Sequence, residues 1–380
     1  MRSPVAYLRA KTAEFGGSLY PVGFPRELLP LLRCARDASQ LTLIAESQGN
    51  ESVVIQGLMR CATCAAEYRI EEGIARLMSC ALTPEDEHEI ATRDAQNMLQ
   101  QADAFVAPTF GWRSESSDLL EIPPHLEELA PENCKILEFG CGDGRFTLLF
   151  AQLGAHILAV DFSINSLRVL ASRLSTGTAP TTYQVARRHP GTDLPGRVGL
   201  VQADASHFHV APRSFDRAFS TTPLDSRDER MAMYRAIAEA LTDEGRFVGS
   251  LENDDLARRL LGLPVARRYS SGIFIEHFSR ATFQREAAPY FAKLRVRIIR
   301  PRLPFLHRIP SAWILPFSRM VGAIPFLRGL CEILLFRAER PVRAYVEGVR
   351  RSGIKLVQRF YRWYMRKIGK EPLWEDHEPV

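Results

Sequence analysis

Between Lys135 and about Phe247, short apolar runs alternate with longer segments whose apolar residues recur three and four positions apart. That alternation is the signature of βα units laid around a parallel sheet. The runs KILEFG (135–140), HILAVD (156–161), VGLVQAD (198–204), FDRAFST (215–221) and RFVGSLE (246–252) predict five strands. SINSLRVLASRL (163–174) and DERMAMYRAIAEAL (228–241) predict helices between them. Further on, SRATFQREAAPYF (279–291) predicts a helix capped by Ser279, LRVRIIRPRL (294–303) a sixth strand and CEILLFRAERP (331–341) a seventh. The interval 304–330 between the last two strands is apolar, and Pro304, Pro310, Pro316 and Pro325 argue against one continuous helix there.

Outside this core the pattern changes. Residues 1–80 carry short strand-like runs and a Cys-x-x-Cys, and 81–132 form a helical connector in which Pro84 suits a first turn followed by early acids. The sheet-forming part occupies 133–341, and 342–380 form a basic helical tail. A chain of 380 residues with 46% apolar content buries a core of globular size with appendages. Its seven cysteines are odd in number and scattered, which points away from a disulfide framework and towards the reducing cytoplasm. The first residues lack the apolar run of a signal peptide, and charges and prolines interrupt every apolar stretch before membrane-spanning length. The formal net charge of +5 is unevenly placed: from Pro341 to Lys370 nine Lys/Arg face only Glu347.

The strongest chemical signal is KILEFGCGDGRFTL (135–148), where an apolar strand ends in Glu138 and runs into Gly140, Gly142 and Gly144 before a helix. A chain that leaves a strand and turns at once into a helix needs unusual dihedrals, and a ligand lying on the turn leaves no room for a Cβ. A dinucleotide fingerprint would place its third glycine at 145, which is Arg145, so the pattern is E-x-G-x-G-x-G. The second and third predicted strands lead to Asp161 and Asp204. Each acid has a plain alternative role as the cap of a following helix.

This arrangement resembles motif I and its companions in the class I S-adenosylmethionine-dependent methyltransferases, a Rossmann-like α/β fold with a mixed seven-stranded sheet. The resemblance covers about 134–341. It implies that Gly140, Cys141, Gly142 and Gly144 lie under the amino-acid part of S-adenosylmethionine, with Glu138 accepting hydrogen bonds at that end. By the same resemblance Asp161 accepts from the ribose hydroxyls, Asp204 from the adenine amino group, Phe162 and Ala205 flank the adenine, and Ser220 and Thr221 line the pocket.

After the fourth strand the chain reads STTPLDSRDER, without the histidine that many small-molecule members carry there. It also lacks the Asn-Pro-Pro-Tyr type of tetrapeptide that the family's base-amine methyltransferases place there, which makes a nucleic-acid base a poorer target. His277 is a candidate base beside the Ser279 helix start, with a role free of chemistry as its alternative, and Asp225 near the vacated histidine position is a second candidate.

Upstream, Cys34, Asp37, Cys61 and Cys64 stand in the pattern C-x2-D-x23-C-x2-C. Two such knuckles build a small tetrahedral zinc site. The stretch is similar to zinc-ribbon modules fused to or partnering methyltransferases, with Asp37 where a cysteine is expected. Structural zinc, and a metal-free ribbon held by apolar packing, both remain open. The tail interleaves Phe360, Tyr361, Trp363 and Tyr364 with basic residues, a pattern open to an anionic membrane surface, to RNA, or to packing on the catalytic domain. The sequence therefore points to a cytoplasmic protein that transfers methyl groups onto a small-molecule or lipid-like acceptor, with peripheral membrane contact through the tail as one of the tail's three open readings. An RNA or protein methyltransferase and a non-catalytic nucleotide-binding scaffold are the alternatives.

Overall fold

A computed structural model describes residues 23–78, 115–176, 197–221, 226–268, 274–301, 311–324 and 327–342, with isolated positions at 84, 87, 88, 91, 92 and 224. Most of the expected connector helix after Pro84, the basic tail beyond 342, and Asp225 lie outside the described residues. The N-terminal part is an antiparallel meander of β1 (Phe24–Pro25), β2 (Leu41–Gly49), β3 (Val53–Cys61), β4 (Glu67–Glu71) and β5 (Ile74–Arg76), with a short 3-10 helix at Arg26–Leu31. Helix α1 (Glu115–Leu129) precedes the alternating region: β6 (Lys135–Phe139), α2 (Thr147–Gln152), β7 (His156–Asp161), α3 (Ile164–Thr176) and β8 (Arg197–Gln202). Next come β9 (Phe215–Ser220), α4 (Arg227–Ala240), β10 (Leu241–Asn253), α5 (Leu256–Leu260), β11 (Ala266–Arg268) and β12 (Phe274–Phe278). The described fold ends with α6 (Arg280–Ala287), β13 (Phe291–Pro301), α7 (Ser311–Ala323) and β14 (Cys331–Pro341).

The seven strands expected from the pattern all form, in the spatial order β8-β7-β6-β9-β10-β14-β13, with β14 antiparallel to both neighbours. The sheet is nevertheless larger than seven. β5 pairs in parallel with β8, Ile74 opposite Leu200, so the meander continues the same sheet to fourteen strands among the described residues. An edge strand left open would present a row of unpaired N–H and C=O groups, and β5 covers it. The join is reinforced where Arg168 grips Glu72 at 2.9 and 3.0 Å and where Leu31 accepts from the Ala211 N–H at 2.8 Å.

Both faces of the parallel strands are covered, which is why these strands read as continuous apolar runs. Ile136, Ile157 and Val198 face Leu148 and Phe150 of α2 and Leu167 and Leu170 of α3. Their neighbours Leu137, Leu158 and Val160 point to the opposite layer of Met233, Tyr234 and Ile237 from α4, joined by Phe24 and Leu28 from the N-terminal meander. α4 begins with a capping box: the Ser226 hydroxyl accepts from the Glu229 N–H at 3.2 Å and Glu229 accepts in return from the Ser226 N–H at 3.0 Å. The expected Ser279 cap also forms, accepting from the Thr282 N–H at 3.1 Å. That helix stops at Ala287, short of the predicted Phe291: Ala288, its C-cap, keeps helical dihedrals, but Pro289 has no N–H to continue the hydrogen-bond ladder.

Within the apolar insertion the described α-helix is confined to Ser311–Ala323, with Ile324 a bend and Arg328–Leu330 a 3-10 turn, so 304–330 is not one continuous helix. α7 runs unbroken across Pro316, because tertiary packing outweighs the lost backbone hydrogen bond: Ile314 and Phe317 close on Leu119 and Leu120 of α1. Among the described residues no helix is long and apolar enough to cross a membrane.

Candidate functional site

In an open parallel sheet, ligands bind outside the carboxyl ends of the strands where the strand order reverses. Here that point lies at β6, whose neighbours are β7 on one side and β9 on the other. The residues singled out in the sequence arrive at this edge on four adjacent strands. Glu138 sits one residue before the end of β6, Asp161 ends β7, Asp204 and Ala205 follow β8, and Ser220 and Thr221 stand at the end of β9.

The glycine loop after β6 is held by direct bonds to β7. The N–H groups of Gly140 and Cys141 donate to the Val160 carbonyl at 2.8 and 3.2 Å, and the Gly142 N–H donates to Asp161 Oδ2 at 2.8 Å. Asp161 Oδ1 accepts from the Ser163 N–H at 2.9 Å, so the carboxylate is oriented by two backbone donors. Gly142 and Gly144 adopt φ of +53° and +90°, the left-handed region that favours glycine. Their surroundings differ: a Cβ on Gly144 would strike Leu170 at 2.2 Å, whereas one on Gly142 would meet nothing within 4 Å. The loop is thus packed on α3 at one glycine and open at the other.

Glu138 is buried, and its Oε2 accepts from the Thr147 hydroxyl at 2.8 Å. Burial raises its pKa to about 8; the Thr147 hydrogen bond opposes that rise and the nearby Asp161 charge adds to it. Asp204 is held within a local turn, Oδ1 accepting from the Ser206 N–H and hydroxyl at 2.8 and 2.7 Å and Oδ2 lying 2.7 Å from His207 Nδ1. Phe162 is half-buried, and its carbonyl accepts from Gln202 Nε2 at 3.0 Å.

His277 lies on β12, which pairs with β10 at Glu252 and Asn253. β14 already occupies the other side of β10 at Glu252, so β12 takes the edge that β9 leaves after Ser220. The histidine therefore stands at the carboxyl edge of the sheet, past the end of β9. Its Nδ1 is 3.2 Å from the Val265 carbonyl, an acceptor, which requires the proton on Nδ1 and leaves Nε2 as the basic nitrogen. Burial and the Arg258 charge lower its pKa. Arg230 fixes the strand beneath it, pairing with Glu276 at 2.8 Å and Glu286 at 3.1 Å and lying 4.8 Å over the Phe278 ring.

Within the stretch expected to be a helical connector, α1 spans this edge and brings two residues that sequence reasoning did not single out. Glu121 of α1 is buried and joins Arg145, next to the glycine loop, to Arg300 of β13, each at 3.2 Å. Burial pushes the Glu121 carboxyl up, but the two guanidinium groups outweigh it and leave its pKa lowered. One turn on, His125 is fully buried against Phe146 and Phe219, with Nδ1 2.7 Å from the Glu121 carbonyl and Nε2 without a hydrogen-bond partner among the described residues. Both residues precede the motif in a segment with no pattern of its own, and only the unusual pair Glu121 and His125 at helical spacing marks it.

Residues 136–245 match the family model described as a methyltransferase domain. The chain carries a class I methyltransferase domain. The mitochondrial ubiquinone biosynthesis O-methyltransferase of Schizosaccharomyces pombe is 27% identical over 146 residues, 37% of this chain and 47% of that relative. The match thus spans about half the length of the curated relative. An S-adenosylmethionine-dependent methyltransferase from Mesorhizobium loti is 19% identical with a TM-score of 0.39, over 60% of this chain and 98% of its own. The Burkholderia thailandensis 1,6-didemethyltoxoflavin-N1-methyltransferase is 14% identical with a TM-score of 0.39, over 76% of this chain and 99% of its own. The domain assignment rests on the strand order and on the match over 136–245.

S-adenosylmethionine is the methyl donor of this domain class, and the residues of the methyltransferase domain fit it. The open face of Gly142 is where a ligand can lie against the backbone, and the buried Glu138 carboxyl is the group an ammonium would convert to carboxylate.

In the N-terminal meander the ligand atoms of Cys34, Asp37, Cys61 and Cys64 all lie within 4.8 Å of one another. Cys34 Sγ is 3.5 Å from Cys64 Sγ, and Cys61 Sγ is 3.4 Å from Asp37 Oδ1. Four donors from two turns, three of them sulfur, suit zinc.

Proposed function

We propose that the chain transfers a methyl group from S-adenosylmethionine to the oxygen or carbon of a small-molecule or lipid-like acceptor. The observation that carries this reading is the carboxyl edge shared by β8, β7, β6 and β9, where Glu138, the open Gly142, Asp161 and Asp204 stand in the order the cofactor requires. Glu138 and the loop Gly140 to Gly144 hold the amino-acid end, Asp161 the ribose, and Asp204 with Phe162 and Ala205 the adenine. Ser220 and Thr221 complete the wall towards the acceptor. The bound cofactor supplies an electrophilic methyl group on a sulfonium.

Methyl transfer is an in-line displacement, so the protein's task is to align the acceptor and exclude water. Where the nucleophile is a hydroxyl or an activated carbon, a base must also take its proton, and His277 Nε2 has the tautomer and the depressed basicity to act as a neutral imidazole near pH 7. The small-molecule reading is favoured by the relative named for ubiquinone biosynthesis. Isothermal titration with S-adenosylhomocysteine tests the reading. Wild type binds in the micromolar range, while Asp161→Ala and Gly142→Val stay folded by circular dichroism and lose binding by about a hundredfold or more. A folded wild type that binds nothing makes the chain a scaffold instead.

The cysteine cluster holds a structural zinc that locks the two turns of the meander. Metal analysis of protein purified without chelators gives about one zinc per chain, lost in Cys61→Ser together with thermal stability. Metal content near zero in folded wild type assigns the meander to apolar packing alone.

A further inference from the structure

On the acceptor side of the sheet a cavity of about 660 Å³ opens between the carboxyl ends of β10 and β13 and helix α7. Glu252, Ile333 and Ile299 lie side by side across β10, β14 and β13, which puts this cavity on the same edge as the cofactor residues. Its wall joins two chemistries. Val296, Ile298, Ile299 and Leu315 give an apolar lining, and five arginines, at 259, 280, 297, 319 and 328, surround it.

The arginines outnumber their carboxylates. Arg259 pairs with Asp254 at 2.8 Å, Arg297 with Glu128 at 3.0 Å, and Arg319 with Glu127; Glu128 is itself shared with Arg337 at 2.9 Å. Arg328 gives its Nε and one Nη2 donor to the Gly322 and Ala323 carbonyls at the end of α7, at 3.0 and 3.2 Å, two of the five N–H donors of a guanidinium. Arg280 is exposed, and no carboxylate meets it or Arg328 among the described residues. Two uncompensated guanidinium groups beside apolar walls form a site for a molecule that is anionic at one end and apolar at the other. The lining also includes Leu256, a large apolar side chain left partly exposed.

We infer that this cavity is the acceptor site of the methyltransferase and that it takes an amphiphile carrying a carboxylate, phosphate or comparable anionic group, held by Arg280 and Arg328, with its apolar body along Val296, Ile298 and Leu315. The inference rests on the methyltransferase reading proposed above. It narrows the small-molecule or lipid-like acceptor to an acidic amphiphile.

The test uses the full chain and two fluorescent probes of similar body: anilinonaphthalene sulfonate, which carries an anion, and N-phenylnaphthylamine, which does not. Wild type binds the sulfonate more tightly, and the double variant Arg280→Gln/Arg328→Gln loses about tenfold or more of that affinity with the neutral probe unchanged. Because Arg328 also caps α7, Arg280→Glu alone is the second variant, expected to weaken the sulfonate several-fold at an unchanged melting temperature. Sedimentation with phosphatidylglycerol vesicles separates the sources. Arginine-dependent vesicle binding points to a membrane lipid, and its absence beside intact sulfonate discrimination points to a free acidic metabolite; either supports the site. Sulfonate affinity equal to that of the neutral probe, or untouched by both variants, overturns it. Titration with S-adenosylhomocysteine in the same proteins keeps the two ideas apart, since cofactor binding survives these substitutions if the methyltransferase reading holds.

Discussion

The two halves of the carboxyl edge are built in different ways. On the cofactor side, the glycine loop, Asp161 and Asp204 follow one another within 70 residues, each at the end of a strand and fixed by bonds to its immediate neighbour, as Gly142 is to Asp161. On the acceptor side, the cavity gathers Pro124 from α1, Asp254 from the end of β10, Arg280 from α6, Ile298 from β13 and Leu315 from α7. The cofactor is a constant of the domain class and its site is carried by backbone geometry. The acceptor site is carried by side chains on elements far apart in sequence, and those are free to vary without disturbing the sheet.

The two halves are tied through Glu121, which reaches Arg145 beside the loop and Arg300 on β13, the latter also held by Glu332 at 2.7 Å. Removing that carboxylate is the largest disruption expected. Glu121→Gln removes the carboxylate that Arg145 and Arg300 share, leaving Arg300 with Glu332 at 2.7 Å and the nearby Glu252 charge. Because both guanidinium groups are partly exposed, the loss of stability falls near the low end of the ~3–5 kcal/mol typical of breaking a buried pair. The sign with pH follows from the lowered pKa. Glu121 stabilises the fold above the usual carboxylate range and ceases to do so as pH falls through its depressed value, so wild type and variant converge in acid. Thermal melts across pH check this. Equal melting temperatures at neutral pH mean that α1 is not what couples the halves.

How far each half was legible in the sequence follows from the same contrast. The strands at 135–139, 156–161 and 215–220 emerge where the pattern puts them, because strands covered on both faces write uninterrupted apolar runs. The placing of Glu138, Asp161 and Asp204 at or just past strand ends was legible because each follows directly from an apolar strand run. The join of β5 to β8 was not, since a three-residue strand has no periodicity to detect and its partner lies more than a hundred residues away. The prolines of 304–330 told that no single helix fills the interval, but not that α7 would run across Pro316, because its packing on α1 is a tertiary fact. The cavity arginines read as ordinary surface charge until the fold set them around one space. His277 was a candidate by position, and only the β10 register shows which edge its strand occupies.

The smallest effect concerns the protonation of Glu138, and it probes the cofactor half alone. With its pKa raised to about 8 by burial, this carboxyl is mostly protonated in the free protein at pH 7. A folded value above the unfolded one means that the group's contribution to stability is complete in mild acid and is lost as pH rises through about 8. A ligand ammonium placed beside Glu138 favours the charged form and pulls the pKa back down, so binding near pH 7 releases a fraction of a proton. Calorimetric titration of S-adenosylhomocysteine in phosphate and in Tris, buffers of very different ionisation enthalpy, reads that proton as a difference in apparent heat. The difference shrinks above about pH 9, where Glu138 is already ionised, and disappears in Glu138→Gln, which keeps the shape of the side chain and its contact with Thr147 but has no proton to lose. Equal heats in the two buffers for wild type near pH 7 place the ammonium away from Glu138, and the amino-acid end of the cofactor is then held by the glycine loop without it.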